Sequence, residues 1–170
     1  MFCCFTGHRP QNLPWGQNED DGRCLLMKQI LINIIEESIE DGFTDFYCGM
    51  ALGADMYAAE AVLELIDKGE NIRLHAAIPC PDQAKGWSHE ERQRYESILS
   101  RCHSKILVNP FYSNSCMLTR NRFMVDSSDR VIAIWKGTFR GGTSYTIKYA
   151  KSLNKQILLI NPKDLSVKRL

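Results

Sequence analysis

Six short apolar runs alternate along this chain with five stretches of helical character, and that alternation leaves few architectures open. The runs are Phe2–Phe5, Phe43–Cys48, Asn71–Ile78, Ser104–Val108, Arg130–Trp135 and Gln156–Ile160. Phe2–Phe5 is apolar at every position, as an interior parallel strand buried on both faces requires. Helices are expected over about 23–40, 54–68, 88–100, 117–127 and 143–152. The first is the plainest: Leu26, Ile30, Ile34 and Ile35 recur at helical spacing, Glu36, Glu37 and Glu40 fall toward the other side, and Asp41-Gly42 supplies a stop. Strand and helix in strict turn predict an α/β, Rossmann-like, doubly wound fold: a mainly parallel sheet of about six strands with helices on both faces. At 170 residues the chain is expected to form a single domain over 1–170, with 161–170 a short polar tail and 11–21 an irregular loop.

Charge narrows the partners. Lys and Arg number 21 against 20 Asp and Glu, so no broad basic surface is available for duplex nucleic acid or an anionic membrane. An anionic partner must be met locally. Runs such as Ile157–Ile160 are far too short to span a bilayer and the amino terminus lacks the pattern of a signal peptide, so a cytoplasmic protein is expected. The seven cysteines, at 3, 4, 24, 48, 80, 102 and 116, include no C-x-x-C pair and several lie in apolar runs. They read as reduced core thiols, with no metal site and no cofactor expected.

In a sheet of this kind the loops after the first, second, fourth and fifth strands gather at one edge, where the winding reverses and ligands bind. They bring together Thr6, Gly7, His8 and Arg9; Gly49, Gly53 and Asp55; Arg120 and Asn121; and Gly141, Gly142 and Thr143. Backbone N–H groups at helix starts suit phosphate, arginines suit its charge, and a carboxylate accepts bonds from ribose hydroxyls. Arg120 and Arg122 near the amino end of a helix oppose its dipole, which calls for a neutralising partner or an anionic ligand. Neither G-x-G-x-x-G nor a Walker A loop is present, and neither G-x-S-x-G nor H-E-x-x-H. His8, the one histidine of the crevice, reads as a hydrogen-bonding residue, and Asp55 is the candidate catalytic group if there is one.

Four ordered motifs, Thr6-Gly7-His8-Arg9-Pro10, Gly49-x-Ala51-Leu52-Gly53-Ala54-Asp55, Asn121-Arg122-x-Met124-Val125-Asp126-x-Ser128-Asp129 and Gly141-Gly142-Thr143, together resemble the YpsA-type family of the SLOG superfamily, and within it the small prophage-type members. The resemblance spans essentially the whole chain. It implies a Rossmann-like domain that binds or senses a nucleotide or nucleotide-derived small molecule, ADP-ribose-like or a nucleoside phosphate, with no established reaction. Enzymes of the LOG branch are similar around the second Gly loop; they are phosphoribohydrolases that cleave the N-glycosidic bond of nucleoside monophosphates, with the motif Pro-Gly-Gly-x-Gly-Thr-x-x-Glu. Here Arg140 precedes Gly141-Gly142 and Thr146 stands where the glutamate would be. An oxocarbenium-like transition state needs a carboxylate that a hydroxyl does not replace, so a binding protein is preferred to an N-glycosidase, in which Asp55 or Asp126 would have to substitute. Single-stranded DNA binding, by analogy with the DprA branch, is disfavoured by the near-neutral charge. No membrane partner is expected, and a homo-oligomer is left open.

Overall fold

The computed structural model describes residues 1–170. The elements follow in the order β1 (Phe2–Gly7), α1 (Gly22–Glu40), β2 (Asp45–Cys48), α2 (Ala54–Asp67), β3 (Arg73–Ile78), α3 (His89–Arg101), β4 (Ser104–Leu107), α4 (Cys116–Asp126), β5 (Arg130–Ile134), α5 (Gly142–Ser152), β6 (Gln156–Ile160) and β7 (Val167–Arg169). They build one seven-stranded sheet in the order β4-β3-β2-β1-β5-β6-β7. The chain winds outward from β1 to β4, then returns through α4 to place β5 on the other side of β1, pairing Cys3 with Arg130 and Gly7 with Ile134. The winding therefore reverses between β1 and β5, and their carboxyl ends diverge into a crevice.

Each element has a local cause. Asp21 caps α1 by accepting from the Arg23 N–H, and Ser88 and Glu91 form a reciprocal capping box at α3. The β5 strand, buried at all five positions, is held on both sides by parallel neighbours. Phe5, Phe46, Leu74 and Ile132 pack with α1 and α2 on one face, while Cys4, Val131, Ala133 and Ile157 pack with Met124 and Ile147 of α4 and α5 on the other. No helix is long and apolar enough to cross a membrane.

Three expectations change. The polar tail is not a tail: Asn161 to Ser166 turn the chain back, and Val167–Arg169 add a seventh strand, antiparallel, pairing Val167 with Ile160 and Arg169 with Leu158. Short and charged, it closes the edge that β6 would otherwise leave open. The loop at 11–21 begins with a single 3-10 turn (Pro10–Asn12) and is fastened by burial of Leu13 and Trp15. The run Glu90-Glu91-Arg92-Gln93-Arg94 of α3 reads from its charge alone as a solvated face, yet it places Arg94 between Glu19 of that loop and Glu60 of α2, both at 2.6 Å.

Candidate functional site

At the β1/β5 reversal lies a cavity of about 480 Å³. Its wall includes Thr6, Gly7, His8 and Arg9 beyond β1, Asp55 in the first turn of α2, Arg120 and Asn121 from α4, and Gly141, Gly142 and Thr143 at the start of α5. Gly49 and Gly53 are not on it. Asn12, Met117, Thr138 and Arg140 are, none of them foreseen; Arg140 was legible as a cation beside the glycine pair, whereas nothing local marks Asn12.

The two helix starts that looked equivalent in sequence differ in what reaches them. At α2 the Ala54 N–H donates to the His8 carbonyl at 3.1 Å. Gly53 has φ +87°, and a Cβ there would lie 2.7 Å from the same carbonyl oxygen. Its missing side chain admits the β1 loop, not a ligand. A Cβ at Gly7 would collide with Ala54, and one at Gly49 with the Arg120 guanidinium. At α5, by contrast, a Cβ on Gly141 would meet nothing within 4 Å, so this amino end stands open to the cavity.

Within the wall, Asp55 and Arg120 are both largely buried, with Oδ2 3.8 Å from Nη1. The same Oδ2 accepts from the Ala51 N–H at 3.2 Å. Arg120 donates to the Gly49 carbonyl and, at 3.5 Å, to that of Ala77, while its Nε has no partner. Gln83 completes the support, its amide donating to the Gly49 and Met50 carbonyls at 3.0 and 3.1 Å. Burial pushes the Asp55 carboxyl above its ordinary range against the pull of Arg120. Arg120 thus serves first as a strut for the Gly49 loop, and Asp55 is the partner that its position in α4 called for. Arg122 finds another, lying over the Tyr145 and Tyr149 rings at 5.3 and 5.4 Å.

Other wall residues are tied to the frame as well. Thr143 Oγ1 donates to the Gly7 carbonyl at 2.9 Å. Asn121 donates to Thr146 Oγ1 at 3.0 Å, and that hydroxyl donates to the Gly142 carbonyl at 2.8 Å. Thr146 is buried and off the wall, so it braces Asn121. Arg9 and Arg140 form no salt bridge with the protein, and with Arg120 they outnumber the one wall carboxylate, Asp55. No three His, Cys, Asp or Glu side chains converge as a metal site would require, and all seven cysteines are free thiols.

His8 is a neutral tie. Its Nε2 accepts from the Lys136 N–H at 3.1 Å, which leaves the proton on Nδ1. Burial and the Lys136 charge lower its pKa to about 4. Because the folded form resists protonation while the unfolded chain takes it up near pH 6.5, this residue's contribution to stability is full above about pH 6.5 and is lost as pH falls toward 4. Replacing His8 by Gln should flatten the stability profile in that window, as urea midpoints at pH 7, 6, 5 and 4 would show; parallel profiles would refute the assignment.

A family model described as the YspA SLOG family matches residues 3–165. The chain is 28% identical over 149 residues to a UPF0398 protein of Bacillus thuringiensis strain Al Hakam, covering 86% of this chain and 80% of that protein. It is 27% identical over 163 residues to one from Bacillus pumilus, covering 94% and 87%. Among solved structures it shares its fold with DNA processing protein A of Helicobacter pylori, described for its single-stranded DNA binding mode (TM-score 0.63, 18% identity, 95% of this chain and 65% of that one). The same protein from Streptococcus pneumoniae gives a TM-score of 0.62 at 14% identity, with 96% of this chain spanning about half (51%) of the other. TM1055 gives 0.59 at 12% identity, covering 97% and 75%. The family match runs from β1 to just short of β7, taking in every wall residue of the cavity, and the chain belongs to the YspA SLOG family.

Proposed function

We propose that the cavity binds a nucleotide-derived small molecule, its phosphate at the amino end of α5 between Arg9 and Arg140 and a ribose hydroxyl on Asp55. The observation that carries the reading is the unobstructed Gly141-Gly142 helix start flanked by two arginines without protein partners. Asp55 Oδ2 is occupied by Ala51 and Arg120, while Oδ1 has no protein donor and suits a hydroxyl. His8, neutral and with its Nδ1 proton free, adds a donor without charge.

Thermal shift and calorimetry with AMP, ADP and ADP-ribose test this. A ligand at about 100 times its dissociation constant should stabilise the fold by roughly 2.7 kcal/mol. Arg140→Ala should weaken binding about ten- to a hundred-fold, the worth of one charge-assisted contact. No shift with any nucleotide at millimolar concentration would end the reading. Base release from AMP, followed in parallel and compared with Asp55→Asn, separates binding from N-glycosidase activity, because Asp55 is the carboxylate on the wall.

Phe111, Tyr112 and Phe139 are exposed on the loops that lead into α4 and α5, and exposed aromatics beside cations are what a single strand stacks on. This favours, as a second reading, a 5′-phosphorylated single strand ending in the same cavity. An oligonucleotide that displaces AMP and binds more tightly would make it the better one.

A further inference from the structure

The segment between β5 and α5 has a construction that nothing in the binding of phosphate explains. Gly137 and Gly141 bracket Thr138-Phe139-Arg140, and both have φ in the left-handed region, at +86° and +106°. A Cβ on either would meet nothing within 4 Å, so neither glycine is there to make room for packing. They supply backbone freedom at the two ends of a three-residue strap. Thr138 and Arg140 face the cavity. Phe139, between them, is 86% exposed, the most exposed large apolar side chain in the chain. Its backbone is nevertheless held, since its carbonyl accepts from Ser144 Oγ at 3.1 Å and Lys148 Nζ at 3.4 Å, and the Trp135 indole donates to the Thr138 carbonyl at 3.2 Å. These are side-chain donors to carbonyls, few and replaceable by water.

Resting on the nucleotide reading, we infer that this strap is a lid: rotation at Gly137 and Gly141 lays the Phe139 ring over the base of the ligand while Arg140 stays on its phosphate. An aromatic ring left in water beside a polar cavity gains apolar contact when a base arrives, and stacking tolerates any base because each has a π-face. The ligand class narrows accordingly to a phosphate that carries a nucleobase. A sugar phosphate would fill the cradle without closing the lid.

The test compares AMP with ribose 5-phosphate on the full chain and on Phe139→Ala, which removes an exposed side chain and leaves the fold intact. AMP affinity should fall about 5- to 100-fold in the variant, while ribose 5-phosphate affinity stays the same. Saturation with AMP should also change Trp135 emission as its bond to Thr138 breaks, a change absent in Trp135→Phe and absent with inorganic phosphate. Equal AMP affinity in parent and variant would overturn the lid and leave the nucleotide reading standing. If neither AMP nor ribose 5-phosphate binds the parent, the nucleotide reading itself fails and the lid falls with it.

Discussion

Arg120→Met should destabilise the protein by about 3–5 kcal/mol at pH 7, because it strands the buried Asp55 carboxylate without a counter-charge. Methionine is close in volume, so little of the loss comes from a cavity. Two further losses act in the same direction: the Gly49 and Ala77 carbonyls each lose the Arg120 donor, Gly49 keeping only that of Gln83. The pH dependence identifies the cause. With Arg120 gone, the folded-state pKa of Asp55 rises further above its unfolded value, so the folded state holds a proton that the unfolded state has released. The deficit is therefore largest above the folded pKa and shrinks as pH falls toward about 4. Urea unfolding at pH 7 and pH 5 reads this directly, and adding Asp55→Asn should recover a good part of the loss. A cost below about 1 kcal/mol, or one that does not change with pH, would show that Asp55 and Arg120 are not an interdependent buried pair.

That pair also shows where sequence reading stops. The alternation of apolar runs and amphipathic helices made the sheet, its parallel core and the edge where its loops gather legible, because each depends on local periodicity and on the few ways such units pack. The last strand was not legible. Val167-Lys168-Arg169 has one apolar residue, and its strand character comes from pairing with Leu158–Ile160, which no local pattern reports. The fate of individual polar groups at the edge was equally hidden. Arg9 and Arg120 read alike as cations of the crevice, yet Arg9 makes no salt bridge with the protein whereas Arg120 pairs with Asp55 and donates to the Gly49 carbonyl. Phe139 gives no signal in a sequence, since one phenylalanine among polar neighbours reads as ordinary loop until its exposure is known.

The glycines make the same point with a sharper consequence. A glycine four residues beyond another between strand and helix suggests a backbone opened for phosphate, and on that view Gly53→Ala would be harmless to the fold and damaging only to binding. The structure leads to the opposite order. At Gly53 an alanine must adopt a φ of +87° and place its Cβ 2.7 Å from the His8 carbonyl oxygen and 3.0 Å from Pro10. Strain of that kind costs about 1–3 kcal/mol, and overpacking against a backbone that cannot yield adds about 1–3 more. We therefore expect Gly53→Ala to lose about 2–6 kcal/mol without any ligand present. Gly53→Arg should add little to that, because the damage is done at Cβ and Gly53 is not on the wall of the cavity. Gly141→Ala, with open space around its Cβ, should pay for its φ of +106° alone and lose nucleotide affinity in larger proportion than stability. Denaturant midpoints and AMP titrations on the three variants separate the cases. A Gly53→Ala protein as stable as the parent but blind to nucleotide would return the second loop to the ligand and remove the β1 loop from its place as the cap of α2.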